Sequence, residues 1–185
     1  MSRPQLPQPA KLVIGALFND KALSDQLTQD LEHIYGKIDL ISPWFDFDFT
    51  DYYSKEMGKP LYRRMMVFEK LIEQLELAVI KGQTNQIETK YAVAGRRRIN
   101  IDPGYLLYER FVLATGKNYS HRIYIGHGIY ADLTLMYQQG AYQSLPWTYP
   151  DYASETMRNF LMQVRNKYSL DLKRLSNTER LIPEE

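Results

Sequence analysis

The sequence predicts an α+β fold: a ferredoxin-like β-α-β-β-α-β core, an added antiparallel β-hairpin extension and a C-terminal helix. Three observations predict it. Apolar runs and helix-period stripes alternate in that order through Ile101. Two alternating stretches then flank Gly126-His127-Gly128, the pattern of a hairpin. Last, Met157, Phe160, Leu161, Val164 and Tyr168 fall on one helical face.

Each element has its own warrant. Residues 11–18 (KLVIGALF) form a short apolar run, read as a buried first strand. Ser24 suits an N-cap, and Leu27, Leu31, Ile34 and Tyr35 define one face of the helix that follows. Gly36 closes that helix. In an extended reading of residues 38–49, Phe45, Phe47 and Phe49 point one way and Asp46 and Asp48 the other. Residues 62–71 give the next strand. Leu77, Ile80, Thr84, Ile87 and Tyr91 stripe a second helix, with Gly95 after its end. Residues 98–101 read as a short strand.

Asp102-Pro103-Gly104 fits either a helix start or a turn, so residues 105–115 read as helix or strand, with helix favoured. Residues 121–125 and 129–137 pair across the Gly-His-Gly turn, which places Arg122 opposite Asp132 and puts Ile123 and Leu133 toward the core. Gln139-Gly140 turns the chain into 142–145. Residues 146–152 (PWTYPDY) are too rich in proline for regular structure. One core is expected to gather Val13, Ile14, Leu31, Ile34, Phe47, Ile87, Ile99, Ile123, Leu133 and Phe160. The boundaries are a loose tail at 1–10, a single domain at 11–173 and a charged tail at 174–185.

Composition narrows the function classes. The 185 residues suit one domain, and 23 basic residues against 22 acidic ones give no overall pull toward nucleic acid or membrane. The charge is uneven: residues 39–56 lean acidic and residues 96–122 lean basic. These regions polarise the surface if apart and neutralise each other if they abut. The absence of cysteine excludes thiol nucleophiles and cysteine-based zinc sites. No apolar run reaches the roughly 18 residues of a membrane span. The N-terminus lacks the apolar core of a signal peptide, and a cytoplasmic protein is expected.

Ten of the fifteen tyrosines lie between Tyr91 and Tyr152. Four phrases surround or fall in that region: FDFTDYY at 47–53, RRRINIDPGY at 96–105, HRIYIGHGIYADLTL at 121–135 and PWTYPDY at 146–152. Together they resemble the bacterial domain-of-unknown-function 4416 family over about residues 10–170. That resemblance implies no activity, cofactor or catalytic residue.

The candidate site residues therefore rest on their chemistry. Arg96, Arg98 and Arg122 can supply guanidinium groups to phosphate or carboxylate, although a run such as Arg96-Arg97-Arg98 more often faces solvent. On a strand Arg97 points away from its two neighbours. Tyr105 and Trp147 can offer ring surface, while Trp147 also suits a rigid strap over the sheet. His121 is a candidate proton carrier. Asp46 and Asp48 can share a divalent metal, against the plainer reading of a half-exposed strand. No cofactor is otherwise evident.

The leading expectation is a binding protein for an anionic ligand such as a nucleotide, a phosphometabolite or an RNA end. One alternative is a metal-dependent phosphoryl-transfer enzyme using Asp46 and Asp48, with His121 or Asp102 assisting. The other is a non-catalytic module whose tyrosines contact a protein partner.

Overall fold

The computed structural model describes residues 3–179. Its strands are β1 (Ala10–Phe18), β2 (Ile38–Ile41), β3 (Phe45–Asp46), β4 (Tyr62–Ile72), β5 (Ile99–Leu106), β6 (Arg110–Thr115), β7 (Arg122–Gly126), β8 (Ile129–Gln138) and β9 (Ala141–Ser144). Its helices are α1 (Ser24–Tyr35), α2 (Ser54–Met57), α3 (Leu77–Lys90), α4 (Pro150–Ala153) and α5 (Glu155–Glu179). The strands build one antiparallel sheet in the order β2-β4-β1-β5-β6-β8-β7, with β3 added to β4 and β9 to β8. The α+β class, the antiparallel sheet and the long C-terminal helix follow the expectation. The sheet itself is nine-stranded among the described residues, against seven strands expected, because residues 38–49 split into β2 and β3 and residues 105–115 supply β6.

β1 lies in the middle of the sheet, and all nine of its residues are buried. That requires cover on both faces, since alternate side chains point to opposite sides. On one face Ile14 pairs with Met66 and Ala16 with Ile101. Thr28 of α1 reaches Met66, and Lys81 of α3 donates to the Ile101 carbonyl at 2.6 Å. On the other face Lys11 meets Asp171 of α5 at 2.7 Å. Gly15 lies under the Tyr152 hydroxyl of α4, and Leu17 packs with Phe47, Met57 and Leu61. The sheet is thus a middle layer between α1 and α3 on one side and α4, α5 and residues 45–61 on the other.

Several expectations are corrected. Residues 105–115 are not helical: β5 runs through Pro103 to Leu106 and turns into β6. β6 is paired with β5 only across Gly104–Leu106, so no strand of that ladder needs an N–H from Pro103. Gly104 permits the approach, because a Cβ there would lie 2.5 Å from the Val112 carbonyl oxygen. Residues 38–49 are not one strand: Ser42, Pro43 and Trp44 separate β2 from β3, and Phe49 is exposed. Ser24 is the first helical residue rather than the cap, and Asp20 instead accepts from Ala22 N–H at 3.0 Å in the turn before it.

The expected core is also amended. Val13, Ile14, Leu31, Ile99 and Phe160 share the main core, but Phe47 belongs to the small cluster around Leu17, and Ile34 is exposed. Ile123 is 72% exposed, because β7 ends the sheet path. α5 continues to Glu179, past the boundary set at residue 173, while positions 180–185 of the expected tail lie outside the described residues.

Candidate functional site

β5 and β6 part company at Gly104, and the gap this opens is walled by residues 47–53 on one side and 149–152 on the other. The result is a cleft of about 570 Å³. That falls within the roughly 300–1,000 Å³ of small-molecule sites. The acidic and basic segments meet here through Arg97 and Glu56, while Asp39, Asp51, Arg98 and Arg122 pair with residues outside the opposite segment.

Arg63 of β4 lies under the cleft at 3% exposure. Its Nη1 donates to Asp102 at 3.3 Å and to the Tyr152 hydroxyl at 3.2 Å. Its Nε lies 2.8 Å from Asp151 Oδ2, close enough for an ion pair but without hydrogen-bond alignment. Its Nη2 makes no hydrogen bond among the described residues and, unlike Nε, is not sealed from solvent. Burial works against the Arg63 charge, but Tyr152, Asp151 and Asp102 around it outweigh burial and hold its pKa above the usual value. Burial also pushes the Asp151 carboxyl up, more than Arg63 pulls it down. The Tyr53 hydroxyl is pushed up by burial as well. Perturbed groups gather in this one cleft, as they do at functional sites and in structural ion-pair networks alike.

Arg97 is the residue that the sequence pattern assigned away from the site. It lines the cleft, holding Glu56 through Nε at 2.8 Å and Nη2 at 2.7 Å. Its Nη1 donates to Asn100 at 2.7 Å and to Glu88 at 3.1 Å. Alternation along a strand misplaced it because the chain is not a strand there: β5 begins only at Ile99. Arg96 is exposed, without an ion pair among the described residues. Arg98 pairs with Asp20 at 3.1 Å, outside the cleft.

Arg122 does reach the cleft. It lies opposite Asp132, as the hairpin register requires, with Nε 2.8 Å from Asp132 Oδ2. Nη1 donates to the Lys117 carbonyl at 2.9 Å and Nη2 to the Tyr149 hydroxyl at 3.1 Å. Lys117 Nζ sits 2.8 Å from the Tyr52 hydroxyl and 4.2 Å from the centre of that ring. His121 and Trp147 lie next to this group rather than in it. Their rings stack at 4.7 Å, His121 Nε2 is 3.4 Å from Asp132 Oδ2, and Trp147 donates to the Leu133 carbonyl at 2.8 Å. Trp147 is thus a clamp on the sheet. Tyr105 is buried in the main core, outside the cleft lining.

Asp46 pairs with Tyr62 at the sheet edge, and Asp48 lies beyond the strand; both are exposed and outside the cleft lining. Among the described residues no group of three or more acidic, histidine or cysteine side chains is placed to hold a metal ion. Among the same residues no helix is long and apolar enough to cross a membrane.

Tyr52, Tyr53 and Asp102 fall in two of the four phrases noted above, and Arg122, Asp132, Tyr149 and Tyr152 in the other two. The fold brings all four phrases to one cleft. No curated protein and no solved structure matches the chain. The model of one family, described as a domain of unknown function (DUF4416), matches residues 8–168, and the chain belongs to that family.

Proposed function

We propose that the cleft binds a small anionic ligand carrying a flat ring, with a nucleotide as the class that meets both conditions. The observation that carries this reading is Arg63, buried under the cleft with Nη2 unpaired and not sealed. An anion arriving there adds a charge-assisted hydrogen bond without breaking one. Lys117 adds a second cation at the same cleft. Phe49, Tyr52, Tyr53 and Tyr149 line it with rings. Stacking on such rings is worth about 1–3 kcal/mol per base. We read β1, β2, β4 and β5 with α1 and α3 as a ferredoxin-like unit, on the strand order β2-β4-β1-β5, and β6 to β9 as the addition that supplies the second wall.

Thermal melting in the presence of nucleotides, sugar phosphates and aromatic carboxylates, with a chelator present, tests this reading. A ligand at 100 times its Kd stabilises by about 2.7 kcal/mol. The rise in Tm is expected for the wild type and for Arg96→Gln and Arg98→Gln, and is expected to shrink for Lys117→Ala. Loss of the response in Arg96→Gln or Arg98→Gln, with Lys117→Ala unaffected, would move the ligand out of the cleft. A response that appears only when the chelator is replaced by magnesium or manganese, and disappears in Asp46→Asn/Asp48→Asn, would favour metal-dependent phosphoryl transfer instead.

A further inference from the structure

We infer that the ligand presents a single anionic group to the cleft, a phosphate monoester or a carboxylate, and that polyphosphates are disfavoured. This rests on the cleft being the ligand site, as proposed above. Its ground is how the cations there are already committed. All three guanidinium nitrogens of Arg97 are engaged, by Glu56, Glu88 and Asn100. All three of Arg122 are engaged too, by Asp132, the Lys117 carbonyl and the Tyr149 hydroxyl. Arg63 keeps Nη2 without a hydrogen bond but already faces Asp102 and Asp151, so among the described residues the one lining cation that faces no carboxylate is Lys117, which only leans on Tyr52.

Against those two stand three carboxylates in the same lining, Asp102, Asp132 and Asp151. One anionic group uses up the capacity that Lys117 and Arg63 Nη2 leave in the lining. A second or third phosphate finds no unspent cation and meets like charge in a site of low dielectric. Polyphosphate sites solve this with a glycine-rich loop of backbone N–H groups or a bound metal. Here the loop after β6 carries a single glycine, Gly116, and no metal cluster is present among the described residues.

The test is calorimetric titration of the intact chain, without divalent metal, by each common ribonucleoside and its 5′-carboxylate, mono-, di- and triphosphate. In at least one base series the monophosphate or the carboxylate is expected to bind tightest, each further phosphate weakening Kd by roughly tenfold. The comparison of carboxylate with monophosphate tells the two anions apart. Asp132→Asn removes one carboxylate while keeping the side-chain shape, and should narrow the gap between mono- and triphosphate. Asp102→Asn, at a more exposed position, provides the same reading if Asp132→Asn does not fold. A triphosphate that binds as tightly as the monophosphate overturns the inference and leaves the cleft reading standing. No binding by any member of any series overturns both.

Discussion

Gly15 and Gly104 show how single residues permit the close approaches beside the cleft. A Cβ at Gly104 would meet the Val112 backbone oxygen at 2.5 Å, whereas one at Gly15 would meet the Tyr152 hydroxyl, Arg63 Nη1 and Met65 Sδ between 2.8 and 3.1 Å. Backbone cannot swing aside as side-chain ends can. Gly104→Ala is therefore expected to cost about 1–3 kcal/mol, and Gly15→Ala less, in denaturant unfolding. The reverse order would mean that the β5–β6 approach is looser than described. Trp147→Ala is expected to lower stability by about 2–3 kcal/mol while leaving ligand affinity unchanged, because the ring clamps Leu133 and His121 outside the cleft. A Kd that moves with stability intact would place Trp147 at the ligand. Of the expected site residues, Arg122 was legible because a hairpin register fixes its partner. Arg63 was not: nothing in YRRMM says which arginine faces inward, and its partners Asp102, Asp151 and Tyr152 lie 39 or more positions away.

At the scale of elements, α5 is held to the sheet by a buried charge cluster as well as by its apolar stripe. Lys11 bridges Asp39 and Asp171 at 2.8 and 2.7 Å, and Tyr168 donates to the Pro9 carbonyl at 2.7 Å. Burial alone would raise the Asp171 carboxyl, but hydrogen bonds from Lys11 and Lys167 outweigh it and hold it below its ordinary value of 3.8. A depressed carboxyl contributes stability above its unfolded pKa and loses it as pH falls through the folded one. Asp171→Asn is thus expected to cost about 3 kcal/mol near neutrality, with Asp39 still pairing Lys11. That cost should shrink as the pH drops below about 4. A cost that is the same at both ends of the pH range would remove the ion pairs from the account. Phe160→Ala, on the apolar stripe of the same helix, should cost about 3–5 kcal/mol at any pH. The helices α1, α3 and α5 and the β7–β8 hairpin were legible because period and turn chemistry are local. The β5–β6 hairpin was not, because Asp-Pro-Gly carries the same local signal for a turn, a helix start and an edge-facing stretch of strand. Which of these forms is decided by pairing with β1, a contact about ninety positions away.

The whole molecule is a sheet with helices α1 and α3 on one face and α4 and α5 on the other, and the cleft opens where β5 and β6 diverge under the second layer. The sequence carried the charges and the tyrosines of that cleft as separate phrases. Their convergence depends on strand order, which no single phrase contains. A second, smaller depression lies on the opposite layer beside Tyr35 and Val79, near exposed Ile34, and provides the natural control. In the proposed reading the cleft receives the ligand. Hydrogen–deuterium exchange, with and without the tightest-binding anion from the titrations, locates it most directly. Slowed exchange is expected in residues 47–53, 113–117 and 149–152, with the segment around Ile34 and Val79 unchanged. Slowed exchange confined to that second segment, or to residues 94–98 around Arg96, would contradict the claim.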